Sequence, residues 1–221
     1  MAALWQAECA VDRLWREVQH ETAGVHLAAR RCGGDGGAAA YTEPTLMTRL
    51  YTFTISHFAE KARWSLDYKG IHYQEKRLVP GSHVPIIKRI APSTFVPVLQ
   101  DAGRIIQGSS AIIDYVDEHS PEPPLTPAHP SERQRTLELE RWLDCEFGER
   151  VRRIFYFHAL NHRDLAILLF NQGGPWWGRL FCRVGFRMIA NRIRQMYAIT
   201  AENVALDTDR VTAAYERLAG C

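Results

Sequence analysis

A proline-rich segment, residues 120–130 (SPEPPLTPAHP), divides this chain into two parts of different character. Its five prolines remove backbone donors and favour extended polyproline geometry, so neither a helix nor a central strand can run through it. Residues 47–119 alternate strand-like and helix-like patterns, whereas residues 131–221 have helical periodicity. The segment therefore predicts a linker between a mixed α/β domain and an all-helical domain.

Residues 1–46 resemble neither part. They hold a short helical stripe and a glycine-rich run, and Met47 stands immediately before the first convincing strand. Acidic residues in the stripe argue against a transit peptide, and no apolar core of a signal peptide is present. We interpret residues 1–46 as an N-terminal extension that is disordered or results from an upstream start assignment. A native helix on a flexible linker is the alternative.

The α/β part predicts the order βαβαββα. Each element has a local signal, such as the alternation of a strand, the serine before a helix or the glycine after it. The predicted elements are a strand at 49–53, a helix at 57–68 that ends at Lys69–Gly70, a strand within 71–78, a short helix from about Ser82, a hairpin of strands 96–99 and 104–106, and a helix capped by Ser109 that runs to about Glu118.

The part after the linker predicts three helical segments. An apolar stripe with three- or four-residue spacing predicts one long helix over about 139–154. The run GGPWWG at 173–178 interrupts the pattern, and helices to about Tyr197 and over 202–218 follow. Trp176 and Trp177 are interpreted as core or as the lining of an apolar pocket. The five arginines of the second helix are interpreted as a solvated face or as a site for an anionic partner: Arg179, Arg183, Arg187, Arg192 and Arg194.

Composition excludes several classes of function. A net charge of +2 without a concentrated basic run argues against a nucleic-acid partner. The longest apolar run, 165–170, is far shorter than a membrane span. The five cysteines are dispersed with no CxxC and no metal-ligand spacing, so we expect unpaired thiols, no metal and a reducing, cytoplasmic location.

Three motifs in order resemble the cytosolic glutathione transferase family: LYTFTISHFAEKARWSL (50–66), APSTFVPVL (91–99) and GSSAIIDYV (108–116). The resemblance covers residues 47–119 and is to the bacterial-type members with a serine active site. It implies a thioredoxin-like N-terminal domain followed by an all-α domain. It also implies glutathione as co-substrate without a further cofactor, a small hydrophobic electrophile and a homodimer. Against the family's usual size, residues 131–221 are short, and we expect a truncated helical domain.

The resemblance gives Ser56 the catalytic role of facing the glutathione sulfur. A serine hydroxyl can donate a hydrogen bond to a thiolate, and the N-terminus of the following helix favours negative charge. The alternative is an ordinary helix cap, for which serine is equally suited. Tyr51 and Thr52 are competing hydroxyls on the same strand. His57 replaces a proline of related classes, and it is either an exposed residue of the first turn or a polar contact near the thiol.

The remaining site residues are implied by the other two motifs. Val96–Pro97 resembles the family's cis-proline turn, whose valine backbone pairs with glutathione as an added strand would. Gly108 and Ser109 open a helix where the family binds the γ-glutamyl group. Gly108 stands where an acid is common, and Phe95 replaces a frequent lysine. These departures favour the alternative to a transferase, a non-catalytic binding module of the same fold. Disulfide exchange is disfavoured because no cysteine lies at position 56.

Overall fold

The computed structural model describes residues 47–219. The predicted N-terminal extension, residues 1–46, lies outside the described residues.

Four strands form one mixed sheet: β1 (Arg49–Thr52), β2 (Gln74–Arg77), β3 (Val98–Asp101) and β4 (Arg104–Gln107). Their spatial order is β2-β1-β3-β4, with β1 parallel to β2 and β3 antiparallel to both of its neighbours. Three helices connect or follow the strands: α1 (His57–Tyr68), α2 (His83–Ile87) and α3 (Ser109–His119). The predicted order βαβαββα and the thioredoxin-like arrangement are confirmed.

Local chemistry sets the ends of these elements. The Ala59 N–H donates to Ser56 Oγ at the start of α1, and Gly70 follows its last turn with φ 64°. The β3–β4 hairpin turns on Ala102 and Gly103, with φ values of 45° and 79°. Two consecutive positive φ values match the right-handed twist of the paired strands.

The sheet is covered on both faces. Leu50, Leu66, Leu99 and Ile112 form a fully buried cluster in which α1 and α3 pack against β1 and β3. A second cluster joins Ile87 of α2 to Val98. Because both faces are covered, β3 and β4 carry adjacent apolar residues, Val98–Leu99 and Ile105–Ile106, whereas the edge strand β2 (QEKR) is polar.

The proline-rich linker is fastened to the first domain. The Asp117 carboxylate accepts hydrogen bonds from the Leu125 N–H at 2.8 Å and from Lys69 Nζ at 2.6 Å. Burial alone would raise the pKa of Asp117, but the bonds from Leu125, Lys69 and Thr126 outweigh it and lower the pKa to about 2. Because Leu125 also packs against the first core cluster, the linker is in contact with the first domain.

The second part is helical throughout. Its elements are α4 (Pro130–Trp142), a π-helical segment (Leu143–Gly148), α5 (Glu149–Ala159), α6 (Arg163–Phe170), α7 (Gly178–Met196) and α8 (Ala201–Ala219). The predicted long helix is therefore interrupted by a π-helical segment, and α6 is an additional helix that the sequence patterns did not separate. Its core also takes in Val79 from the first domain, so the two parts share buried surface.

Two expectations about single residues are wrong. Trp176 is 91% exposed, so it belongs neither to the core nor to a pocket lining. Cys145 is disulfide-bonded, contrary to the expectation of five unpaired thiols, whereas Cys182 is a free, buried thiol.

Residues 47–219 contain no helix long and apolar enough to cross a bilayer. The same residues hold no cluster of three or more His, Cys, Asp or Glu side chains able to bind a metal ion.

Candidate functional site

The predicted site residues all lie at one end of the sheet. Tyr51 of β1 is opposite Val98 of β3, which is also opposite Gln107 of β4. The last residues of β1 and β4 and the first residues of β3 therefore meet. Immediately beyond these strand ends lie the five predicted residues: Ser56, Val96, Pro97, Gly108 and Ser109.

Ser56 is the N-cap of α1. Its backbone N–H donates to the Phe53 C=O at 3.1 Å, and its Oγ accepts from the Ala59 N–H at 3.3 Å. A hydroxyl has one donor and two lone pairs, so capping uses only acceptor capacity. Among residues 47–219, no hydrogen bond from the Ser56 hydroxyl is formed, which leaves its O–H able to donate to a ligand at the helix N-terminus.

The two competing hydroxyls of β1 are already engaged. The Tyr51 hydroxyl donates to Gln100 Oε1 at 3.2 Å, and the buried Thr52 hydroxyl donates to Glu75 Oε1 at 2.8 Å. Both bonds lie within the sheet and hold these side chains away from the turn between β1 and α1. Of the three candidates, Ser56 alone keeps its donor.

The turn before Ser56 is held from both domains. Arg63 of α1 donates to the Thr54 C=O at 3.2 Å, and the Thr54 hydroxyl donates to the Gln172 C=O of the helical domain at 2.7 Å. Arg63 also pairs with Glu75 of β2 at 2.6 Å. These contacts fix the backbone that positions the Ser56 side chain. No sequence pattern indicated them.

His57 is partly buried and its Nε2 is enclosed, so the prediction of an exposed first-turn residue is wrong. Its ring centroid lies 4.1 Å from that of Phe58, and its Nε2 would be 3.0 Å from a Cβ added at Gly148. Burial, followed by the charges of Arg152 and Lys61, lowers the pKa of His57 to about 4. The imidazole is therefore neutral at neutral pH and adds no positive charge beside Ser56.

The Val96–Pro97 peptide bond is cis, as predicted. Within residues 47–219 no hydrogen bond engages the Val96 N–H or C=O, so both remain able to pair with an added strand. The buried Gln107 side chain holds the preceding segment: its Nε2 donates to the C=O of Ser93 at 3.1 Å and of Phe95 at 2.7 Å, and its Oε1 accepts from the Ser93 N–H at 3.3 Å. Sequence reasoning missed this role of Gln107.

Gly108, not Ser109, is the N-cap of α3, which corrects the predicted cap. Gly108 has φ 99°, a conformation that favours glycine over an acidic side chain, and its N–H donates to the Pro97 C=O at 3.0 Å. Ser109 is the buried first residue of the helix. Gly108 therefore ties the cis-proline turn to α3, and Ser109 stands at the N-terminus that would receive a carboxylate.

An ion-pair cluster joins this site to the helical domain. Lys61 of α1 pairs with Asp144 at 2.6 Å and with Glu140 at 2.7 Å. Ser110, directly after Ser109, donates to Asp144 at 3.0 Å. Two carboxylates surround one ammonium, and the cluster fixes α1 and α3 against the helical domain.

The helical domain places aromatic side chains next to α1. The Arg152 guanidinium lies 5.5 Å from the Phe58 ring and 4.2 Å from the Tyr197 ring, and it also pairs with Glu149. The Tyr197 ring stacks on Tyr156 at 5.7 Å. Burial raises the pKa of Tyr156 above its usual range, so its phenol stays neutral. These aromatic rings and the Arg152 guanidinium therefore pack next to the start of α1, close to Ser56.

A groove of about 760 Å³ lies elsewhere, between the π-helical segment, α5 and α8. Arg150, Arg153 and the buried Asp207 line it, and none of the five predicted residues does. Because Arg150 and Arg153 both pair with Asp207, the groove is explained as an ion-paired helix junction. The candidate site is therefore identified by its available hydrogen-bonding groups and helix N-termini, and it does not coincide with this groove.

Comparison with known proteins follows the same division of the chain. Residues 50–124 match the family described as "Glutathione S-transferase, N-terminal domain". Residues 50–124 are therefore similar to the N-terminal domain of glutathione S-transferases. This matched region contains all five predicted site residues.

Individual relatives match over part of their length. The maleylpyruvate isomerase of Ralstonia sp is 30% identical over 120 residues, covering 53% of this chain and 52% of the relative. Glutathione S-transferase Z1 of Arabidopsis thaliana is 39% identical over 82 residues, covering 36% and 37%. The chain thus spans about half the length, or less, of these curated relatives.

Among solved structures, the beta-etherase LigF from Sphingobium sp. strain SYK-6 superposes with a TM-score of 0.59 at 22% identity. The superposition covers 78% of this chain and 72% of that structure. It extends beyond the matched N-terminal domain and supports the fold of the helical part.

Proposed function

We propose that this chain is a glutathione S-transferase family enzyme in which Ser56 stabilises a glutathione thiolate for attack on an apolar electrophile. The observation that carries the proposal is the free donor of Ser56 at the N-terminus of α1, beside an unpaired Val96 backbone. Glutathione would pair with Val96 as an added strand and place its carboxylate at Ser109. Its sulfur would then face the Ser56 hydroxyl.

The expected effect on the thiol follows from two terms. A hydrogen bond to a charged group is worth about 1.5–3 kcal/mol, and a helix N-terminus about 0.3–1 kcal/mol. At about 1.36 kcal/mol per pKa unit, they lower the thiol pKa by roughly one to three units. A free thiol has a pKa of about 8.5, so the bound thiol would ionise near neutral pH without a base. The neutral His57 agrees with this assignment, because no nearby imidazolium is needed.

Isomerisation is a second candidate reaction, supported by the similarity to a protein named maleylpyruvate isomerase. A thiolate that adds to a double bond and then leaves returns glutathione unchanged. The same Ser56 geometry would serve either reaction, and the fate of glutathione distinguishes them: conjugation consumes it and isomerisation does not. The predicted homodimer and cytoplasmic location stay predictions.

The test compares Ser56→Ala with Ser82→Ala, a matched serine at the N-terminus of α2. With glutathione bound, the ultraviolet absorbance of the thiolate is followed against pH. Ser56→Ala should raise the thiol pKa by one to two units and reduce turnover at neutral pH roughly ten- to a hundredfold, with recovery as pH rises. Ser82→Ala should leave the thiol titration unchanged.

Two results would contradict the proposal. If glutathione binds and Ser56→Ala has the wild-type thiol titration, Ser56 is only a helix cap. If calorimetric titration detects no glutathione binding to the wild-type chain, the non-catalytic binding module is the better assignment.

A further inference from the structure

Helix α7 (Gly178–Met196) carries an unbalanced charge. No acidic residue occurs between Asp164 and Glu202, yet this stretch contains five arginines. Residues 47–219 form no ion pair with Arg179, Arg183 or Arg187. All three are exposed, so the helix presents a row of positive charge to its surroundings.

One side of α7 is packed into the protein. Cys182, Ile189, Ala190 and Ile193 are buried in the core of the helical domain. Over residues 178–188, the side opposite this core is apolar, unlike a solvated helix face; the polar residues Asn191 and Gln195 are exposed only beyond it. Leu180, Val184 and Met188 stand on it with exposed fractions of 65%, 80% and 70%.

The spacing turns these residues into two adjacent rows. Residues four apart lie on one side of a helix, so Leu180, Val184 and Met188 form an apolar row. Arg179, Arg183 and Arg187 form a second row, displaced by about 100° around the helix axis. Trp176, 91% exposed, lies directly before the first turn. Together these seven residues are called the α7 face.

We propose that the α7 face binds the surface of an anionic phospholipid bilayer. An exposed row of large apolar side chains is costly in water and marks a contact surface. Apolar side chains beside arginines, with tryptophan at the edge, are the pattern of a helix that lies in the lipid headgroup region. The apolar row would enter the headgroup boundary while the arginines contact lipid phosphates.

The charge of the face disfavours a second copy of this chain. A two-fold interface apposes the same patch on both partners, which would bring two unpaired arginine rows together. A negatively charged surface neutralises the row instead. This binding is peripheral and agrees with the finding that no described helix is a candidate span.

The test is co-sedimentation of the full chain with phosphatidylcholine vesicles that contain or lack phosphatidylserine. The chain should sediment with the anionic vesicles only, and added salt should weaken the binding. Each arginine near an anionic surface contributes about fivefold in affinity, so Arg183→Gln with Arg187→Gln should weaken binding by roughly twenty-five-fold. Val184→Asp, at a fully solvent-facing position, should abolish it.

Controls come from α8, where Leu206 and Arg210 are also exposed. Leu206→Asp and Arg210→Gln should bind vesicles as the wild type does. Failure of the wild type to bind anionic vesicles at low salt would overturn the proposal, as would equal binding to both vesicle types. If Val184→Asp dissociates a dimer in sedimentation velocity while no vesicles are bound, the face is an interface between copies.

Discussion

His57 makes the stability of this fold depend on pH in a defined direction. In the folded chain, burial and then the charges of Arg152 and Lys61 lower its pKa to about 4, whereas the ordinary histidine value is 6.5. Between these values the unfolded chain binds a proton that the folded chain does not. Protonation therefore stabilises the unfolded state as pH falls through this window.

The magnitude follows from the same two values. Above pH 6.5 the ring is neutral in both states, so His57 adds no pH dependence. From pH 6.5 down to about pH 4 the free energy of unfolding falls by about 1.36 kcal/mol per unit, a total of up to ~3 kcal/mol. The variant His57→Phe keeps an aromatic ring beside Phe58 but has nothing to protonate. Its unfolding free energy should lack this part of the acid dependence.

The assay is urea denaturation of both proteins at a series of pH values from neutral to about pH 4. The difference between the two curves isolates His57 from other groups that titrate there. His72→Gln, a change at an exposed histidine, should keep the wild-type dependence. Parallel curves for wild type and His57→Phe would refute the reasoning, as would an NMR titration that finds the His57 pKa at 6.5 or above.

Two further changes test the packing around the site and the helical domain. Asp207→Asn should destabilise the chain by about 3–5 kcal/mol in thermal denaturation, because the buried carboxylate pairs with Arg150 and Arg153. The exposed neighbour change Asp209→Asn should be neutral, and an equal effect of both would contradict this account. Gln107→Leu should cost about 1–3 kcal/mol by leaving backbone groups of Ser93 and Phe95 unpaired. It should also weaken glutathione binding in calorimetry, whereas Gln134→Leu on the exposed face of α4 should not.

The sequence predicted the first domain well because its signals are local. Ser56 caps α1 through an amide three residues away, Gly70 ends it with a positive φ, and a two-residue turn sets the hairpin register. Each signal depends on neighbours within a few positions. The antiparallel pairing of β3 then brings the separate motifs to one end of the sheet.

Errors arose where the outcome depends on distant residues. His57 has the sequence context of an exposed first-turn residue, but its ring lies close to Gly148 of the π-helical segment. A glycine in a π-helical segment has no short-range signal that points to a partner in another domain. Trp176 shows the opposite error, since it was predicted to be buried and is exposed. An aromatic side chain is buried on average, but its type does not reveal whether a neighbouring element covers it.

The end of the sheet that carries the candidate site is joined to the helical domain through shared contacts. Lys61 and Ser110 both reach Asp144, and they stand on the two helices, α1 and α3, whose N-termini carry Ser56 and Ser109. A shift of the π-helical segment would therefore move both helix N-termini that are proposed to bind glutathione. The same segment contains Gly148, which lies close to the His57 ring. Under the proposed function, thiolate stabilisation at Ser56 would therefore be coupled to the helical domain through one short segment, Leu143–Gly148.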